Sequence, residues 1–281
     1  MRSAQDHWER EGKVPMAKRT RLDAELVRRG LARSRVQAAD MIAAGQVRVS
    51  GQAAGKAATQ VAQDAAITVQ REDEGPDYVS RGGHKLAGAL ATFDGLKVAG
   101  RNCLDAGAST GGFTDVLLRA GAAHVVAADV GYGQLAWSLQ SDARVTVLNR
   151  VNVRNLQPGQ VEPSPEVVTA DLSFISLSQV LPALVGCATP DADFLLLVKP
   201  QFEVGKGKVG SGGVVRDPEL RAGAVAAVAQ AAQDLGLGVQ GVTASTLPGP
   251  SGNVEFFLWL RHGSPPLAEG DLRAAVAEGP Q

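Results

Sequence analysis

The residues best placed to do chemistry in this 281-residue chain sit where short apolar runs end. The first group is Asp105-Ala106-Gly107-Ala108-Ser109-Thr110-Gly111-Gly112, which follows Asn102-Cys103-Leu104 and leads through Phe113 and Thr114 into a helical spacing, Leu117 and Leu118, that stops at Gly121. An acid, then glycines and small hydroxyl residues, then a helical pattern reads as strand, turn, helix. That is the opening unit of a doubly wound α/β sheet with a nucleotide-like ligand against its strand ends. Small residues are needed there because larger side chains would hold the backbone away from the ligand.

The dinucleotide fingerprint Gly-x-Gly-x-x-Gly puts its second glycine where the chain meets a pyrophosphate. Ser109 stands at that point here, and Asp105 ahead of the turn would repel a pyrophosphate while suiting a cation. The next apolar run, Val125-Val126-Ala127-Ala128, ends in Asp129, 24 positions after Asp105. That is close to the spacing of an acid that accepts from a ribose hydroxyl. A ligand with a ribose, a sulfonium and an ammonium fits better than NAD, so S-adenosylmethionine is the expected cofactor. Contacts are expected from Asp105, Gly107, Ser109, Gly111 and Gly112, with Asp129 at the ribose and Asn152 within reach of the adenine edge. The bland alternative is that a parallel strand can end in an acid, and a loop can carry an asparagine, with no ligand at all.

The elements that must carry these residues follow the same rhythm. Residues 146–148 read as a third strand, 167–171 as a fourth and 194–198 as a fifth. Helices are expected over 177–187 and 218–235, and a closing strand pair over 239–244 and 255–260.

A second group is cationic. Between Lys18 and Arg35 seven basic residues face two acids, Asp23 and Glu25, in a chain whose net charge is only −1. Leu22, Leu26 and Val27 recur at helical spacing before Gly30, and Ser34-Arg35-Val36-Gln37 fits a capping box opening a second helix with Val36, Ala39 and Ile42 facing inward. Val47-Arg48-Val49 alternates as a strand, with another at 66–69. Two helices and a small sheet with arginines outside would present a preformed surface for RNA phosphates, through Arg19, Arg21, Arg28, Arg29, Arg33 and Arg35. A solvated basic face is the plain alternative. The two cysteines, Cys103 and Cys187, lie in apolar surroundings, and no apolar run approaches a membrane span. A cytoplasmic protein is expected.

The run from Leu26 to Arg35, followed by Ile42-Ala43-Ala44-Gly45-Gln46-Val47-Arg48-Val49-Ser50-Gly51, resembles the RNA-binding domain of small-subunit ribosomal protein four. With Ser80-Arg81-Gly82-Gly83-His84-Lys85-Leu86, the Asp105 turn and Lys199-Pro200-Gln201-Phe202-Glu203, the chain resembles the TlyA family from Met16 to Arg261. That family bears the name hemolysin, and its members resemble ribosomal RNA 2′-O-methyltransferases acting on cytidine. The resemblance implies a class I, Rossmann-like methyltransferase domain behind a small α+β S4-like domain. It also implies ribosomal RNA or ribosomal subunits as partner, with the longer members modifying both subunits. Lys85, Asp171, Lys199 and Glu255 match the family's Lys-Asp-Lys-Glu arrangement. Lys199 is expected to deprotonate or electrostatically activate a ribose hydroxyl, Asp171 to orient it and Glu255 to position a lysine. Burial or the nearby Lys85 is expected to disfavour the charge on Lys199. An ordinary surface salt-bridge cluster is the alternative.

The expected domain plan is a disordered arm or misassigned start at 1–16, the S4-like domain at 17–70, a linker at 71–79, the methyltransferase at 80–262 and a flexible tail at 263–281. The resemblance implies that residues 76–79 couple RNA binding to cofactor binding. Pro76-Asp77-Tyr78-Val79 stands there in place of an Arg-Ala-Trp-Val-like tetrapeptide, and a passive tether is the alternative. Lys206, in the basic glycine loop 205–210, is a candidate for substrate phosphate. His84 reads as a neighbour of Lys85 rather than an acid–base group, and no metal site is expected. The competing functions are a membrane-lytic protein, as the family's name suggests, and an RNA-binding cofactor sensor without turnover.

Overall fold

The computed structural model describes residues 19–32, 34–62, 65–69, 77–249 and 251–279. The expected arm at 1–16, Arg33 and residues 71–76 of the expected linker lie outside them. The chain forms two compact units that divide between Gly75 and Pro76.

In the first unit β1 (Arg19–Arg21), α1 (Leu22–Arg28), α2 (Arg35–Ala43), β2 (Val47–Val49), β3 (Gln52–Ala53), β4 (Gln60–Ala62) and β5 (Ile67–Val69) follow in order. β1 pairs antiparallel with β4, and β2 lies between β3 and β5 in a second antiparallel sheet. Leu22, Leu26, Ala38, Ile42, Val47 and Val61 form its core. Ser34 caps α2, its Oγ accepting from the Gln37 amide at 3.1 Å. Of the residues expected to face inward, Ile42 does and Val36 does not. Ala38 and Ile42, four apart, are buried, while Val36 is 60% exposed, because residues four apart share a helix face and Val36 falls off it.

The second unit begins with α3 (Arg81–Thr92), β6 (Asn102–Ala106), α4 (Gly112–Arg119), β7 (His124–Asp129), α5 (Trp137–Gln140) and β8 (Val145–Asn149). It continues with β9 (Val167–Ala170), α6 (Leu181–Cys187), β10 (Asp193–Val198), α7 (Pro200–Glu203), α8 (Pro218–Gln233), β11 (Leu237–Ala244), β12 (Phe256–His262) and α9 (Glu269–Glu278). Seven strands form one sheet in the order β11-β12-β10-β9-β6-β7-β8, with β12 antiparallel to both its neighbours and the others parallel. Helices cover both faces, so β10 is buried along its whole length. Phe194, Leu196 and Val198 join α6, α8 and α9 in one core layer; Leu195 and Leu197 join α3 and α4 in the other. From β6 the chain steps out to β7 and β8, then returns to β9 on the other side, so the strand order reverses between β6 and β9. Ligands bind beyond the carboxyl ends of strands at such a reversal.

Three segments depart from expectation. The helix anticipated over 177–187 is a 3₁₀ turn, Leu177–Gln179, followed by α6, with Pro182 in the first turn of α6 where a missing amide is tolerated. Residues 77–79 are packed rather than linking: the Val79 amide donates to Asp115 Oδ2 at 3.0 Å, and the Arg119 guanidinium lies 4.9 Å from the centre of the Tyr78 ring. The expected flexible tail contains α9, whose Leu272, Ala275 and Val276 are buried against α8 and β11. Gly263, Pro265 and Pro266 suggested a tail, yet they bend the chain alongside β11, where the Val239 amide donates to the Pro265 carbonyl at 2.7 Å.

Candidate active site

The turn after β6 has the shape its small residues allow. Gly107 has φ +88°, and a Cβ there would come within 2.5 Å of the Asp171 carbonyl oxygen. Gly111, with φ +100°, precedes α4, and a Cβ on it would reach Leu135 Cδ1 at 2.8 Å. Only glycine satisfies both the backbone and the space. Gly112 packs against the first turn of α3, with Gly83 N 2.8 Å from where its Cβ would be.

A crevice of ≈ 470 Å³ opens beyond the strand ends, lined among others by Gly107, Ser109, Asp129, Asn152, Asp171 and Phe174. That is large enough for a cofactor-sized ligand. Asp129 holds its rim together: Oδ2 accepts from the Ser109 amide at 2.8 Å and Oδ1 from the Gly131 amide at 2.6 Å. Its carboxylate still faces the crevice. Asn152 lines the far wall and also caps the 3₁₀ turn at Val153–Asn155, its Oδ1 accepting from the Arg154 amide at 3.1 Å.

Asp105, Gly111 and Gly112 do not line the crevice; they stand behind the turn. Asp105 is fully buried, with Oδ2 accepting from Thr114 Oγ1 at 2.6 Å and Oδ1 without a hydrogen-bond partner. Burial pushes its carboxyl up to about 7, against the pull of the Thr114 hydrogen bond and with help from Asp171 and Asp129. The side chain expected to meet the cofactor is thus buried beneath the turn, with Oδ1 still open to a partner.

Two ion pairs involve the four expected residues, one of them reaching the crevice wall through Asp171. Lys199 Nζ is 2.5 Å from Asp171 Oδ1 and donates to Ser173 Oγ at 3.2 Å. Lys85, in the second turn of α3, donates to Glu255 Oε2 at 2.6 Å, and both are buried. Because β12 runs antiparallel with Phe256 opposite Val198, Glu255 lies where β10 ends and Lys199 begins. A Cβ on Gly82 would be 3.7 Å from Asp171 Oδ2, which brings the start of α3 to the other pair. All four expected residues therefore converge, each lysine with its own carboxylate rather than lysine against lysine. His84 packs edge-on against Tyr78, ring centres 5.0 Å apart. Among the described residues no group of acids, histidines or cysteines could hold a metal ion.

Sequence reasoning missed Ser173, Phe174 and the role of Phe202. Phe174 is 92% exposed, has φ +65° and packs its ring 5.2 Å from that of Phe202. An exposed phenylalanine in a left-handed conformation, one residue after the Ser173 that meets Lys199, is costly to maintain. Nothing in Ser173-Phe174-Ile175 distinguishes it from an ordinary apolar stretch.

In the first unit the expected phosphate contacts are anchored from below. Arg21 and Arg35 donate to the buried Asp23, Arg21 through Nε at 3.0 Å and Nη2 at 2.9 Å, Arg35 through Nη2 at 3.0 Å. Arg28 and Arg29 donate to the fully buried Glu25, at 2.5 Å and 2.7 Å. Arg28 first, then Arg29, hold the Glu25 carboxyl at about 2 despite its burial. Hydrogen bonds from Arg21 do the same for Asp23, which lies well below the usual range. Arg19 is exposed on β1. Arg33 and the Lys206 side chain lie outside the described residues.

The S4 domain family matches residues 20–67, and the FtsJ-like methyltransferase family matches residues 78–262. Over 270 residues the chain is 63% identical to the 16S/23S rRNA (cytidine-2′-O)-methyltransferase TlyA of Mycobacterium tuberculosis, spanning 94% of this chain and 100% of that protein. The chain belongs to the TlyA family. A TlyA relative in Campylobacter jejuni, a 23S rRNA (cytidine-2′-O)-methyltransferase, is 36% identical over 65% of this chain and 70% of its own length. Among solved structures, a hemolysin from Streptococcus thermophilus superposes with a TM-score of 0.75 at 36% identity, over 92% of this chain and 95% of that one. This TlyA-family protein is thus a class I methyltransferase with an S4 domain at its front.

Proposed function

We propose that this enzyme transfers a methyl group from S-adenosylmethionine to the 2′-oxygen of cytidine in 16S and 23S ribosomal RNA, acting on ribosomal subunits in the cytoplasm. The observation that carries the reading is the position of Asp171. It lines the cofactor-sized crevice and also holds Lys199 at 2.5 Å, so cofactor wall and reactive amine share one residue. The residues present suit the cofactor: a glycine turn that any Cβ would fill, a carboxylate at the second strand end, and acidic groups around a ligand that is cationic. Gly107 and Ser109 would hold it, Asp129 its ribose hydroxyls and Asn152 its base.

When bound, S-adenosylmethionine supplies an electrophilic methyl on a positively charged sulfur. The ribose hydroxyl would attack in line, an oxygen–carbon bond forming as the sulfur–carbon bond breaks with its electron pair going to sulfur, and the hydroxyl proton would pass to water. Lys199 meets the hydroxyl and stabilises negative charge as it develops on oxygen. Asp171 and Ser173 fix the Lys199 amine, and the buried Lys85–Glu255 pair supports the rim. The Phe174 face offers a stacking surface to an RNA base, the usual way single-stranded RNA is held. The arginines of the S4 domain supply phosphate contacts that set affinity and register.

Incubation with labelled S-adenosylmethionine and purified 30S and 50S subunits tests this. Label on cytidine 2′-oxygens, lost in Lys199→Ala, supports it; a wild type that binds cofactor and labels no RNA would point to a sensor instead. No helix among the described residues is long and apolar enough to cross a membrane. Leakage of dye from liposomes at low protein concentration would favour the lytic reading.

A further inference from the structure

The loops that follow β9 and β10 leave the sheet side by side, and their contacts continue in step beyond the last strand hydrogen bonds. Asp171 and Ser173 meet Lys199; Phe174 meets Phe202; Ser176 and Leu177 meet Glu203. The last contact is made by one carboxylate. Glu203 Oε2 accepts from Ser176 Oγ at 2.5 Å and Oε1 from the Leu177 amide at 2.9 Å, across 27 and 26 residues of sequence. Burial pushes the Glu203 carboxyl up, and those two hydrogen bonds pull it back.

We propose that Glu203 is a positioning residue for methyl transfer, the closing link that keeps the Asp171 loop and the Lys199 loop in register. A purely local cap is not what it provides. The 3₁₀ turn at Leu177–Gln179 already has its own cap, Ser176 Oγ accepting from the Ser178 amide at 3.3 Å, and both acceptor bonds of Glu203 cross to the opposite loop. Phe174 keeps its positive φ between two fixed points, Ser173 bound to Lys199 and Ser176 bound to Glu203. Removing the outer point frees the loop that carries Asp171, Ser173 and Phe174 to move against Lys199. Glu203 is not part of the crevice wall, but residues 171–175 of the loop it holds are, so a displaced loop should weaken cofactor binding far less than it slows methyl transfer. The proposal rests on Lys199 and Asp171 being the reactive pair.

The test uses the full chain with ribosomal subunits and compares Glu203→Ala, Glu203→Gln and Lys199→Ala. Glu203→Ala is expected to lower kcat by about 10- to 100-fold, the scale of a misplacement near 1 Å, while the S-adenosylmethionine Kd rises far less than kcat falls and Tm stays close to wild type. Glu203→Gln should recover most of the rate, because its amide oxygen accepts from Leu177 and its amide nitrogen donates to Ser176 Oγ. Should the alanine variant fail to fold, Ser176→Ala removes the same link by one hydroxyl and should show the same split between kcat and cofactor Kd. An unchanged kcat in Glu203→Ala overturns the proposal. So does a glutamine variant as slow as the alanine one, or a fall in rate matched by equal losses of cofactor affinity and Tm. An inactive Lys199→Ala beside a fully active Glu203→Ala sinks the clamp alone, whereas a fully active Lys199→Ala overturns the site beneath it.

Discussion

Both units pair carboxylates with cations, but with different arithmetic. Among the described residues of the S4 domain two buried acids each hold two arginines, Asp23 with Arg21 and Arg35 and Glu25 with Arg28 and Arg29, so these clusters present more cations than anions in fixed directions. At the methyltransferase rim two acids serve two lysines, one each, and the local charge balances. A surface for phosphates benefits from a surplus held rigid, because oriented guanidinium forks lose less freedom on binding than loose ones. A reactive site needs a single amine at a fixed point, and a surplus there would only repel the cationic cofactor.

The sharpest break in that comparison is Lys199→Ala, expected to lower the rate of methyl transfer by about 10³-fold with cofactor affinity retained, as single-turnover assays would show. Loss of binding instead of rate would mean that the rim pair is structural. Next is Glu255→Ala, which leaves the Lys85 ammonium buried without its acceptor and should cost about 3 kcal/mol of stability in urea unfolding; an unchanged midpoint would mean that water reaches Lys85.

Glu25→Gln turns the comparison round. The change makes the surface more positive, so simple electrostatics predicts tighter RNA binding. If the acid orients Arg28 and Arg29, affinity for a ribosomal RNA fragment at fixed salt should instead fall severalfold. The same residue gives a pH signature. Its carboxyl is held at about 2 against an ordinary 4.5, so its stabilisation is present above about 4.5 and is lost as the pH falls towards 2. Amide exchange in α1 and α2 should show wild-type protection declining over that window and the Glu25→Gln variant declining less, the remainder coming from Asp23, which loses its own contribution below its ordinary 3.8. The smallest effect is Arg28→Ala, which should lower the slope of log affinity against log salt by about one, uniformly across RNA sequences.

What the sequence disclosed, it disclosed through local rules. Each strand of the parallel core ends near where its apolar run ends, and the glycines at 107 and 111 mark a turn that nothing larger can make. The convergence of the rim residues rests on resemblance, but their placement follows from strand ends. What escaped depends on register between distant segments. Phe174 and Glu203 acquire meaning only when the loops after β9 and β10 lie side by side, and no local pattern encodes that. The burial of Asp105 was not legible for a related reason: the last residues of a strand alternate between faces, and a motif does not say which side looks outward. The anchoring of the arginines was legible in principle, since Asp23 and Glu25 lie within a few residues of Arg21, Arg28 and Arg29.

The reversed direction of β12 has a cost in tolerance to insertion and deletion. Parallel strands can deliver only their trailing residues to the ligand edge; this one delivers the residue just before it, Glu255, beside the exit of β10. Sliding β12 by one position would exchange which side chains point to each face and carry the Lys85 acceptor away from its partner. Lineages of this enzyme should therefore accept length changes in the loop between β11 and Asn253 far more readily than within the six residues that follow.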